Sequence, residues 1–314
     1  MLNKKLINIS LIFVILILSC SNSKNEDLNN QNNIVIGAIM GNMADTFIKY
    51  IHDDLLEYSK GKENITILIK DAAGDAGTQQ NLVENLILQD VDGIMLQLVN
   101  PETSIAINNL AKQANIPILY FNHRPKGLEE GTYSYVGLNE RRVGELQAQV
   151  ALEVKNSGNG VILIGPLGTE AAEDRTKGVK DGIANSNIKI LREQSAAWYR
   201  DRALTIVENW VTSGINIDFV FSNNDDMAIG AIQALEASGK VMGTNVGQVM
   251  VFGCDATPDG MNLINNGKMY ATIKQDTMVQ ASEALDAMIN LINNGTNIVK
   301  YLDAEVIISS KYNK

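Results

Sequence analysis

Residues 223 to 235 read NNDDMAIGAIQAL, four polar side chains in a row directly after the apolar run IDFVFS. Asn and Asp at such a place can cap a helix, because a side-chain oxygen accepts from the unpaired N–H groups of the first turn. One capping residue is enough for that. The surplus donors and acceptors then need water or a ligand. The same event recurs along the chain. ILYFNHRP ends an apolar run at Asn122, VMVFGCDATP near Asp255, YATIKQD at Gln275, and VIGAIMGNMADTF runs into Asp45 and Phe47. Asn and Asp favour turns anyway, so each end alone says little. Together they would line one polar cleft, since ligands of open α/β sheets sit beyond the carboxyl ends of the strands.

The elements that must position these ends alternate. From Asn33 on, apolar runs such as IVIGAIM, ITILIK, IPILYFN, GVILIG and IDFVFS are each followed by an amphipathic stretch. The pattern predicts helices near 45–59, 77–89, 140–155, 171–184 and 201–212. In the helix after Asn224, Ala228, Ala231, Ile232 and Leu235 share one face and Gly239 can end it. Strand-helix alternation means right-handed βαβ units, and strands without a polar face mean sheets covered on both sides. The fold class is therefore α/β with doubly wound parallel sheets, and 314 residues suggest two domains.

Composition is that of a globular chain, 45% hydrophobic and 20% charged, enough for a sizeable core. Lys and Arg total 26 against 36 Asp and Glu, an acidic balance that argues against nucleic acid and against anionic lipid. The N-terminus is a different material. MLNKKLINISLIFVILILSC has a basic start and a short apolar run, the pattern of a signal peptide over 1–19. Its end, ILSC, resembles a bacterial lipobox, with Cys20 as the lipidated residue, although Leu18 is bulkier than usual there. An ordinary export signal with an incidental Cys is the alternative. Residues 20–32, polar and low in complexity, read as a flexible tether. Cys254 is then left without a partner, so no internal disulfide is expected, and it reads as a small buried filler.

At this point several motifs resemble the bacterial periplasmic sugar-binding proteins, in particular the galactose/glucose-binding type. ADTF, YFNHRP, AAWYRDRA, SNNDDMAIGAIQALEASG and VFGCDATPDGM carry the likeness, in family order, over nearly all the chain after Asn33. The resemblance implies two α/β lobes joined by three crossings, the first spanning 33–138 and 276–296, the second 139–275 and 297–314. It implies a monosaccharide between closing lobes, delivery to an ABC transporter permease, a chemoreceptor partner in some members, a monomer, and no cofactor. The sugar contacts carried over are Asp45, Asn122, Arg175, Asn224, Asp255 and Gln275, with Phe47 and Trp198 as stacking partners. The chemistry agrees: carboxylates, amides and an Arg fork pair with hydroxyls that both donate and accept, while flat side chains cover C–H faces. On pattern alone, Phe47 is as readily core as ligand wall, and Trp198 could instead pack at a lobe edge. Three positions depart. Thr169 and Ala171 stand where the family has His and Asp, and Gln275 replaces Asn. Glu170 is a candidate for the missing carboxylate. These changes put galactose or glucose in doubt and leave a pentose or a substituted glycoside open. The family's calcium loop has no counterpart, since KNSGNG carries no carboxylates.

Two other classes compete. An enzyme has little to work with, because there are only 2 His, no nucleophile elbow and no Walker loop. His52 reads as a surface residue and His123 as a neighbour of the cleft. A glycosidase pair of Asp45 and Asp255 would need one raised pKa and a suitable separation. A sugar-responsive transcription regulator would need a helix-turn-helix head where this chain has an export signal.

Overall fold

A computed structural model describes residues 33–312; the signal, Cys20 and tether assignments lie outside the described residues. The apolar runs form two six-stranded sheets. The first contains β1 (Ile34–Met40), β2 (Ile65–Asp71), β3 (Gly93–Leu96), β4 (Ile118–Phe121), β5 (Ser134–Leu138) and β11 (Val299–Leu302), all parallel. Helices α1 (Thr46–Ser59), α2 (Ala76–Leu88), α3 (Ser104–Gln113) and α9 (Thr277–Asn294) cover it. The second contains β6 (Ser157–Ile164), β7 (Asn187–Ser195), β8 (Phe219–Ser222), β9 (Met250–Asp255), β10 (Ala271–Lys274) and β12 (Glu305–Ile308). Only β12 runs antiparallel there, along β10. Its helices are α4 (Glu140–Val154), α5 (Glu170–Ile183), α6 (Arg200–Thr212), α7 (Asp225–Ala237) and α8 (Pro258–Asn265).

Side chains alternate across each strand, so each sheet builds a core on both faces. In β1, Ile36, Ala38 and Met40 pack under α1 and α9, whereas Ile39 packs on the opposite side with Val83 and Leu86 of α2. The second sheet does the same through Val161 and Leu163 on one face and Ile162, Phe219 and Phe221 on the other.

The chain passes between the lobes three times, after β5, after β10 and after β11. The last passage corrects the expected boundary at residue 297. β11 pairs with β5 of the first sheet, so the change of lobe falls between Leu302 and Glu305. Two four-residue strands separated by two residues feed both sheets, and hydropathy cannot tell which sheet each one joins. Beneath the crossings lies a small apolar cluster of Leu138, Val143, Leu146, Cys254 and Ile273. Cys254 is buried and unpaired.

Helices α4 and α5 meet backbone to backbone. A Cβ on Gly144 would collide with the Arg175 carbonyl, and one on Gly178 with that of Arg141. This contact sets where the side chains at the start of α4 meet those of α5. Gly144→Val should therefore destabilise the fold by about 1–3 kcal/mol or more through overpacking. Urea denaturation monitored by circular dichroism checks this, and an unchanged midpoint would show that the helices separate freely.

Candidate functional site

The polar strand ends converge. Asp45, Phe47, Asn122, Arg175, Trp198, Asn224, Asp255 and Gln275 all line one cavity between the lobes, joined by Ile48, His123, Glu140 and Ala171. The free space it encloses is only about 30 Å³, well below the roughly 300 Å³ of an ordinary small-molecule pocket, so a ring enters only when the lobes part. Three of the side chains sit on left-handed backbone, with φ of 60° at Asn122, 72° at Trp198 and 123° at Asp255. Such conformations cost on the order of 1–3 kcal/mol each outside glycine. Their clustering at the strand ends marks this cavity.

The carboxylates and amides are held in place by named partners. Asp45 caps α1, its Oδ1 accepting from the Phe47 and Ile48 amides at 2.9 and 3.4 Å. Gln275 Nε2 donates to Asp255 Oδ1 at 2.6 Å, and Gln280 Nε2 donates to Gln275 Oε1 at 3.4 Å. Asn122 Nδ2 in turn donates to Gln280 Oε1 at 3.3 Å. Arg175 is 4% exposed and gives its Nε to Glu140 Oε2 at 2.6 Å and its Nη1 to the Asn223 carbonyl at 2.7 Å. His123 Nδ1 lies 2.7 Å from the Leu98 carbonyl, which can only accept. Gln97 Nε2 stands 3.2 Å from the same nitrogen, and a neutral ring serves either contact. Burial favours that neutral form.

Phe47 and Trp198 divide differently from the simple alternatives. Phe47 is buried in the first lobe's core and also lines the cavity, so it is both core and wall. Trp198 packs its benzo edge on Gly165, where a Cβ would strike it, and the Arg175 guanidinium lies 5.6 Å from the ring centroid. It lines both this cavity and the wider interlobe groove outside it.

The four polar residues that open α7 each find partners within the protein, although Asn223 Nδ2 is buried without one. Asn223 Oδ1 accepts from the Gly165 amide at 3.1 Å, and Asn224 caps α7 through Met227 N at 2.9 Å. Asp225 accepts from Thr272 Oγ1, Thr257 N and Thr257 Oγ1. Asp226 takes Arg200 at 2.6 Å and, across the cleft, the Thr46 hydroxyl at 3.1 Å. Only Asn224 reaches the cavity. The surplus polarity around it serves to brace strand ends against neighbouring loops.

Two expectations need correction. Glu170 does not replace the missing carboxylate: it pairs with Arg124 at 3.4 Å on the rim and lines a separate depression. As the first residue of α5 it points along the rim, away from Arg175 one turn further in. Thr169 lies in the wider groove rather than the cavity, its hydroxyl donating to the Pro166 carbonyl while capping Ala172 N. The carboxylate beside Arg175 comes instead from Glu140, which the sequence reading treated only as the start of a helix. The signal was present, since Glu140 also follows a strand end, in YVGLNE.

Residues 36–296 match the family model described as periplasmic binding protein domain. The chain belongs to that family. A putative rhizopine-binding protein of Rhizobium meliloti is 34% identical over 247 residues, covering 77% of this chain and 79% of that one. The ribose import binding protein RbsB of Escherichia coli is 31% identical over 218 residues, 68% of this chain and 70% of the relative. Among solved structures, an ABC transporter solute-binding protein from Bacillus halodurans with bound myo-inositol superposes with a TM-score of 0.83 at 31% identity, covering 90% and 97% of the two chains. One from Actinobacillus succinogenes with bound D-allose gives 0.81 at 29%, covering 88% and 98%. The fold is thus the two-lobed type I fold of periplasmic sugar-binding proteins.

Burial raises the Asp45 carboxyl to about 6, against the lowering effect of the Phe47 and Ile48 amides and with Asp226 adding and Arg175 opposing. A pKa raised on folding contributes stability that is present at low pH and lost as pH rises through the folded value. Asp45→Asn keeps the cap but cannot titrate. Relative to that variant, the ligand-free wild type should lose stability between about pH 4 and 6, the unfolded and folded values. A flat difference between the two denaturation profiles would place the Asp45 pKa near its ordinary value.

Proposed function

We propose that this chain is the extracytoplasmic solute-binding component of a sugar-class ABC transporter, holding one polyhydroxylated ring between lobes that close on it. The observation that carries this reading is the cavity itself. It is enclosed by both lobes, ringed by carboxylates, amides and one guanidinium, and walled by Phe47 and Trp198. Ring hydroxyls would pair with Asp45, Asn122, Arg175, Asn224, Asp255 and Gln275, and a C–H face would lie on the indole. Relatives with bound myo-inositol and D-allose support a single six-membered ring as the ligand class. A galactose- or glucose-like hexose, a pentose and a cyclitol all fit that class. The relatives named above are all binding proteins, which supports binding over bond cleavage.

Calorimetric titration with hexoses, pentoses and cyclitols tests the reading. At least one should bind, and Asn122→Ala and Asp255→Ala should each weaken it by about 1–3 kcal/mol by leaving partner groups unpaired. Wild-type affinity in both variants would move the site elsewhere. The anchor at Cys20 is a separate proposal resting on ILSC. Cys20→Ala should turn a detergent-phase protein into an aqueous one with ligand binding intact. Equal partitioning of the two forms would remove the lipid.

A further inference from the structure

The side-chain amides at the hinge form a chain with one direction. Gly41 N donates to Gln97 Oε1 at 2.5 Å, and Gln97 Nε2 donates to Asn122 Oδ1 at 3.4 Å. Asn122 Nδ2 then donates to Gln280 Oε1, Gln280 Nε2 to Gln275 Oε1, and Gln275 Nε2 to Asp255 Oδ1. Both ends hold that direction. A backbone N–H can only donate, so a reversed chain would set Gln97 Nε2 against the Gly41 amide. At the other end, reversal would either press Gln275 Oε1 against Asp255 Oδ1 or require a proton on that oxygen. Asn122, Gln275 and Asp255 line the cavity, whereas Gln280 does not. Gln280 is 1% exposed, near the start of α9, and its carboxamide links Asn122, just after β4, to Gln275, just after β10.

The direction decides what a bound ring meets. Asn122 spends Oδ1 on Gln97 and one N–H on Gln280, which leaves one N–H for the cavity. Gln275 spends its N–H groups on Asp255 Oδ1 and, at 3.6 Å, on Cys254 Sγ. Asp255 then keeps Oδ2 for the ring. We propose that Gln280 is a positioning residue for ligand binding: without lining the cavity, it accepts from Asn122 and donates to Gln275, and so fixes how Asn122 on one lobe and Asp255 on the other face the ring. An apolar side chain there could do neither, and a carboxylate could only accept. Buried hydrogen bonds in a chain polarise one another, so a fault at the middle member reaches both ends.

The inference rests on the ring-binding reading, and its test separates the two. The chain and its variants are titrated calorimetrically with D-ribose, D-galactose, D-allose and myo-inositol at pH 8.5, which favours ionised carboxyls. Gln280→Glu keeps the size and the bond from Asn122, but accepts from Gln275 only if that amide turns its Oε1 towards Asp255. Affinity for whichever probe binds should fall about tenfold or more. Asp255→Asn supplies an N–H that suits the turned amide. In that background Gln280→Glu should cost less than about threefold, a coupling that independent sites do not show. Gln280→Met strands no charge; it removes both bonds without turning the relay and should weaken binding about threefold or more, with no rescue by Asp255→Asn. Urea midpoints establish that each affinity is read on a folded chain. Wild-type affinity in Gln280→Met, or a Gln280→Glu loss undiminished by Asp255→Asn, would overturn the positioning role and leave the ring-binding reading in place. Binding of no probe by the wild type would overturn both.

Discussion

A guanidinium taken out of water has to be matched, and much of the second lobe is arranged around doing so. Arg175 sits on α5, its carboxylate partner Glu140 on α4, and its carbonyl partner at Asn223, the end of β8. Breaking such a buried pair by removing one partner typically costs on the order of 3–5 kcal/mol, because the survivor is stranded. The pair can exist only because Gly144 and Gly178 let the two helices touch through their backbones. A side chain at either position would push Glu140 away from Arg175. The floor of the cavity is therefore set by two glycines that do not line it.

The hinge is held by a relay of amides. Gln97 donates to Asn122 at 3.4 Å, Asn122 to Gln280, Gln280 to Gln275, and Gln275 to Asp255. The relay begins on the first lobe's strand ends and finishes on the second's. Gln275 is the member that faces both ways, one end bonded to α9 and the other to the end of β9. The additional methylene relative to the family's Asn gives it that span. Elsewhere the lobes meet through Thr46 with Asp226, Asn42 with Tyr199, and Arg124 with Glu170, at 3.1 to 3.4 Å. Partly exposed contacts of this kind are worth about 0–1 kcal/mol each. They tilt the balance towards closure without fixing it, which leaves the ligand to decide.

Solvation ties these features together. The strand ends hold carboxylates in a space that excludes most water, so Asp45 and Asp255 are pushed towards their neutral forms. A ring rich in donors restores what hydration would have supplied.

The strand-helix alternation, the two-sided cores and the polar residues at strand ends were all legible in the chain, because each follows from local periodicity and capping. So were the polar strand ends at Asp45, Asn122, Asn224, Asp255 and Gln275, whereas Phe47, Arg175 and Trp198 came from the family resemblance. Three things were decided only by tertiary contacts. The sheet joined by β11 depends on which edge is free next to β5, and short apolar strands carry no mark of that. The carboxylate opposite Arg175 comes from Glu140 rather than Glu170, because helix α4 crosses α5 where two glycines allow it. The polarity of NNDD is spent on Gly165, Thr257, Thr272 and Arg200, groups distant in sequence. Local propensity marks where a polar side chain is wanted; only packing between distant elements determines which partner satisfies it.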